Sequence, residues 1–208
     1  VPGIKKKTLE NIVSGIGLYR RRKGLFLLGR TLPLAKDLCE VLGPMVEQVA
    51  YAGSLRRMRE AVHDIDILAA SPNPDKVMKA FVALPMVRSV LVRGDTKTSV
   101  MIADDLQVDL RVVGLESWGA ALAYFTGSKA HNIRLRERAI KRGFKLNEYG
   151  LYDSLNNIVA SRSEEDIYAA LDLPWIAPVL REDRGEIEAG VEGKLPDLVS
   201  CEDIQGDL

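Results

Sequence analysis

Two aspartates separated by one apolar residue, Asp64 and Asp66, are the first candidates for chemistry in this chain. They open the run Asp-Ile-Asp-Ile-Leu-Ala-Ala, which alternates and then turns apolar, the pattern of a strand entering a core. Side chains alternate faces along a strand, so the two carboxylates share a face and repel each other unless a cation lies between them. Ile65, Ile67 and Leu68 are expected to fill the core behind them. Mg²⁺ or Mn²⁺ suits such a pair, because these ions take one or two carboxylates together with phosphate oxygens. Gly53-Ser54 stands eleven residues before Asp64, with Arg56, Arg57 and Arg59 close behind. A glycine lets the backbone approach a phosphate, serine and backbone N–H groups donate to it, and arginine clamps it in a fork. A third acid, Asp109, sits in the otherwise apolar strand Gln107–Val113, where a carboxylate is costly unless paired or bound to metal. Three carboxylates would complete a two-metal phosphoryl-transfer site. The plainer alternatives are an exposed acid pair beside an unrelated basic turn, and a salt bridge from Asp109 to Arg111.

The elements that must position these residues follow from periodicity and punctuation. Leu34, Ala35, Leu38, Val41 and Leu42 share a face, which predicts a helix over 31–42 stopped by Gly43-Pro44. A strand over 46–52 leads into Gly53-Ser54. Ser71-Pro72-Asn73-Pro74 opens a helix over about 75–83, and strands follow near 87–92, 97–103 and 106–113. A helix over 116–127 ends in Tyr124-Phe125-Thr126-Gly127-Ser128. The next, over about 129–142, carries Lys129, Arg134, Arg136, Arg138, Lys141 and Arg142 against one acid, Glu137. Asn132 and Arg136 lie four apart and so share a face. Residues 144–151 read as a short hairpin, and 163–178 as a capped helix with a Pro-bounded packing segment. At the other end, Pro2-Gly3 turns into a stripe of Leu9, Ile12, Val13 and Ile16, a helix whose N-terminus could offer N–H groups to a phosphate.

Charge points to a polyanion. The 208 residues balance 29 Lys and Arg against 29 Asp and Glu, but 164–208 hold 13 of the acids and only 3 of the bases. The body before residue 164 is therefore net positive by 10. Residues 181–208, acidic, Gly-punctuated and poor in large apolar residues, read as a linker. No apolar run reaches the length of a membrane span, and the N-terminus lacks the apolar core of a signal peptide. Cys39 and Cys201, far apart and without metal-ligand spacing, fit a reducing cytoplasm. His63 and His131 are lone histidines, expected to pack or to face solvent.

Gly-Ser followed by Asp-x-Asp resembles the signature of the nucleotidyltransferase superfamily. Gly53-Ser54-x-Arg56-Arg57 with Asp64-Ile65-Asp66, and then Tyr124-Phe125-Thr126-Gly127-Ser128, Asn132, Arg136 and Gly143-Phe144-x-x-Asn147-Glu148-Tyr149, resemble more narrowly the family X DNA polymerases of the bacterial type. The resemblance implies an α+β fold: a nucleotidyltransferase palm with a mixed sheet and flanking helices, a helical N-terminal remnant and a small α/β thumb. The expected boundaries are 1–28 for a partial helix-hairpin-helix, 29–115 for the palm, 116–180 for the thumb and 181–208 for the linker. The activity implied is template-directed addition of dNTPs to a primer 3′-hydroxyl in short gaps, in a bacterial cytoplasm, by a monomer. Two Mg²⁺ or Mn²⁺ ions would sit on Asp64, Asp66 and Asp109.

By the same resemblance Gly53, Ser54 and Arg57 contact the triphosphate, Arg56 is structural, and Tyr124, Phe125 and Gly127 pack against the sugar. Asn132 and Arg136 match minor-groove contacts to the incoming and templating bases, and Arg111 a palm arginine near the acids. Lys129, Arg134, Gly3 and Lys5 join them as expected DNA contacts. Gln107 stands where many relatives bear arginine, and Lys129 where some bear an acid or small residue. The Asp-Ile-x-Gly-Asp-Leu stretch at 203–208 resembles the entry to a histidine-rich polymerase-and-histidinol-phosphatase domain. Two histidines cannot build such a site, so the expectation is a core without 3′–5′ exonuclease or abasic-site endonuclease activity. A template-independent nucleotidyltransferase and a gap-binding scaffold with weak catalysis remain the alternatives.

Overall fold

A computed structural model describes residues 24–200 together with 203, 204 and 206. Gly3, Lys5, the expected helix-hairpin-helix remnant up to residue 23 and Cys201 lie outside the described residues. The chain enters through β1 (Phe26–Leu27) and α1 (Leu28–Leu42), continues through β2 (Gln48–Tyr51), a single helical turn α2 (Gly53–Arg56) and β3 (Ala61–Val62), and reaches β4 (Asp64–Ala70). α1 starts a turn earlier than the 31–42 spacing predicts, because Leu28 and Leu32 also pack on the core and Thr31 returns its hydroxyl to the Leu27 carbonyl at 3.2 Å. α3 (Pro74–Val82), β5 (Ser89–Arg93), β6 (Lys97–Met101) and β7 (Gln107–Val113) complete the first half.

These strands form one mixed five-stranded sheet in the order β2-β4-β7-β6-β5. β4 and β7 are its parallel pair, in a register that sets Asp64 opposite Gln107 and Asp66 opposite Asp109. Period-two alternation explains what each face of β4 does. Ile65, Ile67 and Ala69 turn to the core that α1 and α3 cover with Ala35, Leu38, Leu42, Val77, Met78 and Phe81. Leu68 departs from expectation. It shares the aspartate face, where with Ala70 it packs under Trp118, Ala121 and Leu122. That face is thus roofed at its C-terminal end and left to the acids at its N-terminal end.

The second half is built on α4 (Trp118–Thr126) and α5 (Lys129–Lys141), then β8 (Lys145–Asn147), β9 (Gly150–Tyr152) and β10 (Ile158–Ala160), then α6 (Glu164–Ala170). The expected hairpin gains a third strand, β10, because the Asp153 carboxylate collects the Leu155 and Asn157 N–H groups at 2.9 and 2.8 Å and turns the chain back. Ser128 caps α5 and Ser163 caps α6, each hydroxyl taking the N–H three residues on. Leu135, Ala139, Leu151, Ile167, Tyr168, Leu171 and Ile176 form the core of this half.

The expectation of a linker from residue 181 does not survive. Arg181 is wholly buried, α7 (Glu186–Val191) drives Ile187 into the core of the second half, and Leu195 packs beside it. Composition misled here because Glu182 and Glu186 meet Arg57 and His131 inside the fold instead of water. No helix of the described residues is long and apolar enough to cross a membrane.

Candidate active site

The carboxylates converge because of register and one glycine. Asp66 and Asp109 face each other across the parallel pair, and Asp64 lies two residues along on the same face. α2 crosses close above: a Cβ built on Gly53, whose φ is +60°, would lie 2.0 Å from Asp66 Oδ2. Only glycine allows both that backbone and that approach. Burial, and then the charges of Asp64 and Asp109, push the Asp66 carboxyl up to about 7, against the opposing pull of Lys97 and Arg57.

Asp109 takes the Lys97 ammonium at 2.7 Å and the Gln107 amide. The salt bridge to Arg111 that sequence spacing allowed is replaced: Arg111 lies over the Phe125 ring, 4.7 Å from its centroid. Lys97 is the group that sequence reasoning missed. Pairing 97–103 with 106–113 through the Asp104-Asp105 turn sets Ser99 opposite Asp109, and so brings Lys97 diagonally onto the same face. As the side chains stand, no three acids, histidines or cysteines among the described residues gather around a single point. The donor set nevertheless fits a divalent cation, since Asp66 is repelled by both Asp64 and Asp109 and the Lys97 ammonium has settled on Asp109, where positive charge is wanted.

Beside the acids opens a cleft of about 360 Å³. Gly53, Ser54, Arg57 and Asp66 line one side, Tyr124, Phe125, Thr126 and Gly127 another, and Lys129, Asn132 and Arg136 the third. Its walls are braced from behind. Arg57 donates through Nε to Glu182 at 2.8 Å and through Nη1 to the Thr126 carbonyl at 2.5 Å, which leaves three of its five N–H groups. The Asn132 amide donates to the Tyr124 carbonyl at 2.7 Å, and Arg136 Nε reaches the Asn132 carbonyl at 3.3 Å. Tyr124 and Phe125 meet edge to face at 5.1 Å, and Lys129 is exposed at the rim. Arg111 lines a smaller cavity of about 50 Å³ that also touches Asp66 and Asp109.

Two of the helical arginines turn elsewhere. Arg134 pairs with Glu188, and with Asp183 and Glu137 at 3.6 Å, on the side of α5 facing α7. Arg138 donates to the carbonyls of Leu171 and Asp172, closing the end of α6.

Behind the cleft runs a buried ionic network. Arg56 grips Glu164 through two N–H groups at 2.8 and 2.9 Å and the Thr126 hydroxyl at 2.7 Å, so the expectation that it is structural holds. Arg181 reaches the same carboxylate at 2.6 Å, its guanidinium lying over Tyr168 and Trp175. Burial pushes Glu164 up, but the hydrogen bonds and charges of Arg56 and Arg181 outweigh it and hold the carboxyl down to about 2. Glu164 followed Ser163 as a helix-opening acid, and that local explanation masked its long-range one. His131 is buried rather than at the surface, its ring held by Glu186 and Tyr168, while His63 is exposed.

Comparison with known proteins bears on this arrangement. Residues 121–182 match the family model described as DNA polymerase beta thumb. Over 211 aligned residues the chain is 36% identical to the Bacillus subtilis protein named DNA polymerase/3'-5' exonuclease PolX, an alignment covering 99% of this chain and 37% of that one. It is 33% identical over 115 residues to Repair DNA polymerase X of an African swine fever virus isolate, covering 51% of this chain and 64% of the viral protein. The chain thus spans less than two thirds of either relative. Among solved structures it resembles Leishmania infantum polymerase beta in a ternary primer/template complex, with TM-score 0.69 and 21% identity over 88% of this chain and 84% of that one. The ternary gap complex of the same polymerase gives TM-score 0.71 at 19% identity, over 88% of this chain and 77% of that one.

Proposed function

The chain belongs to the family X DNA polymerases, and on that premise we propose that it adds dNTPs to a primer 3′-hydroxyl under template direction, in short gaps of DNA. The observation that carries this reading is the placement of Asp66 beside Asp109 at the end of a cleft lined by Ser54 and Arg57. Phosphoryl transfer asks for positioning and charge more than for covalent chemistry, and a site of acids and arginines supplies both.

Asp64, Asp66 and Asp109 would hold two Mg²⁺ or Mn²⁺ ions. Such ions, when bound, activate the attacking hydroxyl and offset charge on the triphosphate and the departing pyrophosphate. The residues of the chain do the rest. Ser54 and the free N–H groups of Arg57 donate to the triphosphate, and α2 presents Gly53 so that nothing stands between backbone and phosphate. Tyr124, Phe125 and Gly127 form the wall on which the sugar lies. Asn132, its amide already anchored on Tyr124, keeps its carbonyl oxygen and one N–H for the incoming base, and Arg136 extends to the templating base. Lys129 and Arg111 meet the DNA backbone at the rim. Arg134, committed to Glu188 and Asp183, contributes to DNA contact only by exchanging those partners. The protein works as a monomer in the cytoplasm.

Primer extension on gapped DNA, with and without Mg²⁺ or Mn²⁺, tests the reading. Asp64→Ala, Asp66→Ala and Asp109→Ala should each abolish nucleotide addition and leave DNA affinity nearly intact. Arg136→Ala should lower correct insertion more than affinity for gapped DNA. Extension near wild type by any of the three aspartate variants would overturn the assignment.

A further inference from the structure

His131 is buried in the second half of the molecule, on α5 one residue before Asn132, and no step proposed above uses it. Its Nδ1 lies 2.6 Å from Glu186 Oε1 and its Nε2 2.8 Å from the Tyr168 hydroxyl. Glu186 also accepts the backbone N–H groups of Asp183 at 2.9 Å and Arg184 at 2.7 Å. Those two residues directly follow Glu182, whose carboxylate holds Arg57 Nε at 2.8 Å. The chain is pinned once more at Ser128, whose N–H donates to the Arg181 carbonyl at 3.0 Å. A continuous path of hydrogen bonds therefore runs from the His131 ring through Glu186 and the 182–184 backbone to the arginine in the cleft.

We infer that His131 is a positioning residue for Arg57: by fixing Glu186 it sets the loop that carries Glu182, and so aims the arginine's free N–H groups at the nucleotide. The inference rests on the reading of Arg57 as a triphosphate contact. The chemistry of the pair suits a permanent latch. A carboxylate accepts only, so the ring donates through Nδ1–H; with the imidazole neutral, Nε2 then accepts the Tyr168 proton and all three groups are satisfied. Burial keeps the ring below the usual histidine range; the Glu186 hydrogen bond opposes it, and the neighbouring Arg181 charge adds to the lowering. The Glu186 carboxyl is itself held below its usual range, its hydrogen bonds from His131 and the backbone outweighing burial. Asp183 is the other acid facing the ring. The latch is thus set across the neutral range, and its effect is geometric.

Steady-state single-nucleotide insertion on gapped DNA, with KM for the dNTP separated from kcat, tests this. His131→Leu removes both polar contacts and should raise KM about tenfold with kcat within about threefold. His131→Asn places an amide N–H where Nδ1–H was and should stay within about threefold of the parent KM, although both variants lose packing. In an Arg57→Ala background, His131→Leu should change KM by less than about twofold, because its target is gone. A merely structural role would lower stability in both histidine variants and shift KM equally in both backgrounds, and that result overturns the inference. An unchanged KM in His131→Leu does the same. If Arg57→Ala alone leaves KM unchanged, the nucleotide reading of Arg57 fails and takes the inference with it. If Arg57→Ala raises KM and His131→Leu does not, only the inference fails. Should His131→Leu not fold, Glu186→Leu, which removes the carboxylate shared by His131 and the Asp183 and Arg184 N–H groups, carries the same comparison with the same outcomes.

Discussion

At the scale of single residues, one added methyl group tests how closely α2 approaches the acids. Gly53 sits at φ +60°, and a Cβ there would collide with the Asp66 carboxylate, the movable end of a side chain. Gly53→Ala should therefore cost only about 1–2 kcal/mol of stability. It should lower nucleotide addition at least about a hundredfold, since an ångström of displacement at a reacting group has that effect. Urea unfolding and primer extension on one preparation check both halves. Glu164 gives the pH prediction. Its carboxyl lies near 2 in the fold against an ordinary value of 4.5. A depressed value means the stabilisation is fully present above about pH 4.5 and is lost as pH falls toward 2. At roughly 1.4 kcal/mol per unit, about 3 kcal/mol should go over that window. Glu164→Gln should be destabilised at pH 7, with the gap to the parent closing by about pH 2 in urea titrations.

At the scale of elements, the joint between α4 and α6 is the tightest. A Cβ on Gly119 would fall 2.2–2.4 Å from the backbone N, Cα and C of Ser163. Backbone cannot swing aside as a carboxylate can. Gly119→Ala should thus push the cap of α6 away from α4 and cost about 3 kcal/mol of stability. Thermal or urea unfolding reads this directly, and a change below about 0.5 kcal/mol would show that the two helices can separate freely. The joint matters to the site because Glu164, the next residue, holds Arg56 at the end of α2. The cap residue Ser163 and the buried carboxylate of Glu164 are consecutive, and the carboxylate ties them to the turn that carries Gly53 and Ser54.

At the scale of the molecule, the acidic segment is where charge and topology meet. Residues 181–195 return across the second half and place Glu182 on Arg57, Glu186 on His131 and Glu188 on Arg134. A chain cut after Leu180 loses Arg181 from the buried carboxylate and Ile187 and Leu195 from the core. It should lose about 3–5 kcal/mol, the cost of breaking a buried ion pair. A chain cut after Pro196 should stay within about 1 kcal/mol of the parent. Equilibrium urea unfolding of the two truncations distinguishes an integral segment from the linker that composition suggests.

Periodicity was enough to place the strands of the palm, the helices that flank it and the three aspartates, because those signals are local: alternation, caps and turn residues act within a few positions. The resemblance to family X DNA polymerases grouped Gly53, Ser54, Arg57, Tyr124, Asn132 and Arg136, and the structure gathers them around one cleft. The partners of charged side chains were not legible in the same way. That Lys97 and not Arg111 meets Asp109, that Glu164 is buried between two arginines, and that the acidic segment is core and not tether all depend on groups brought close from far along the chain. A carboxylate in a sequence looks the same whether it will face water or a guanidinium. Only the tertiary structure, by removing the water, makes that choice.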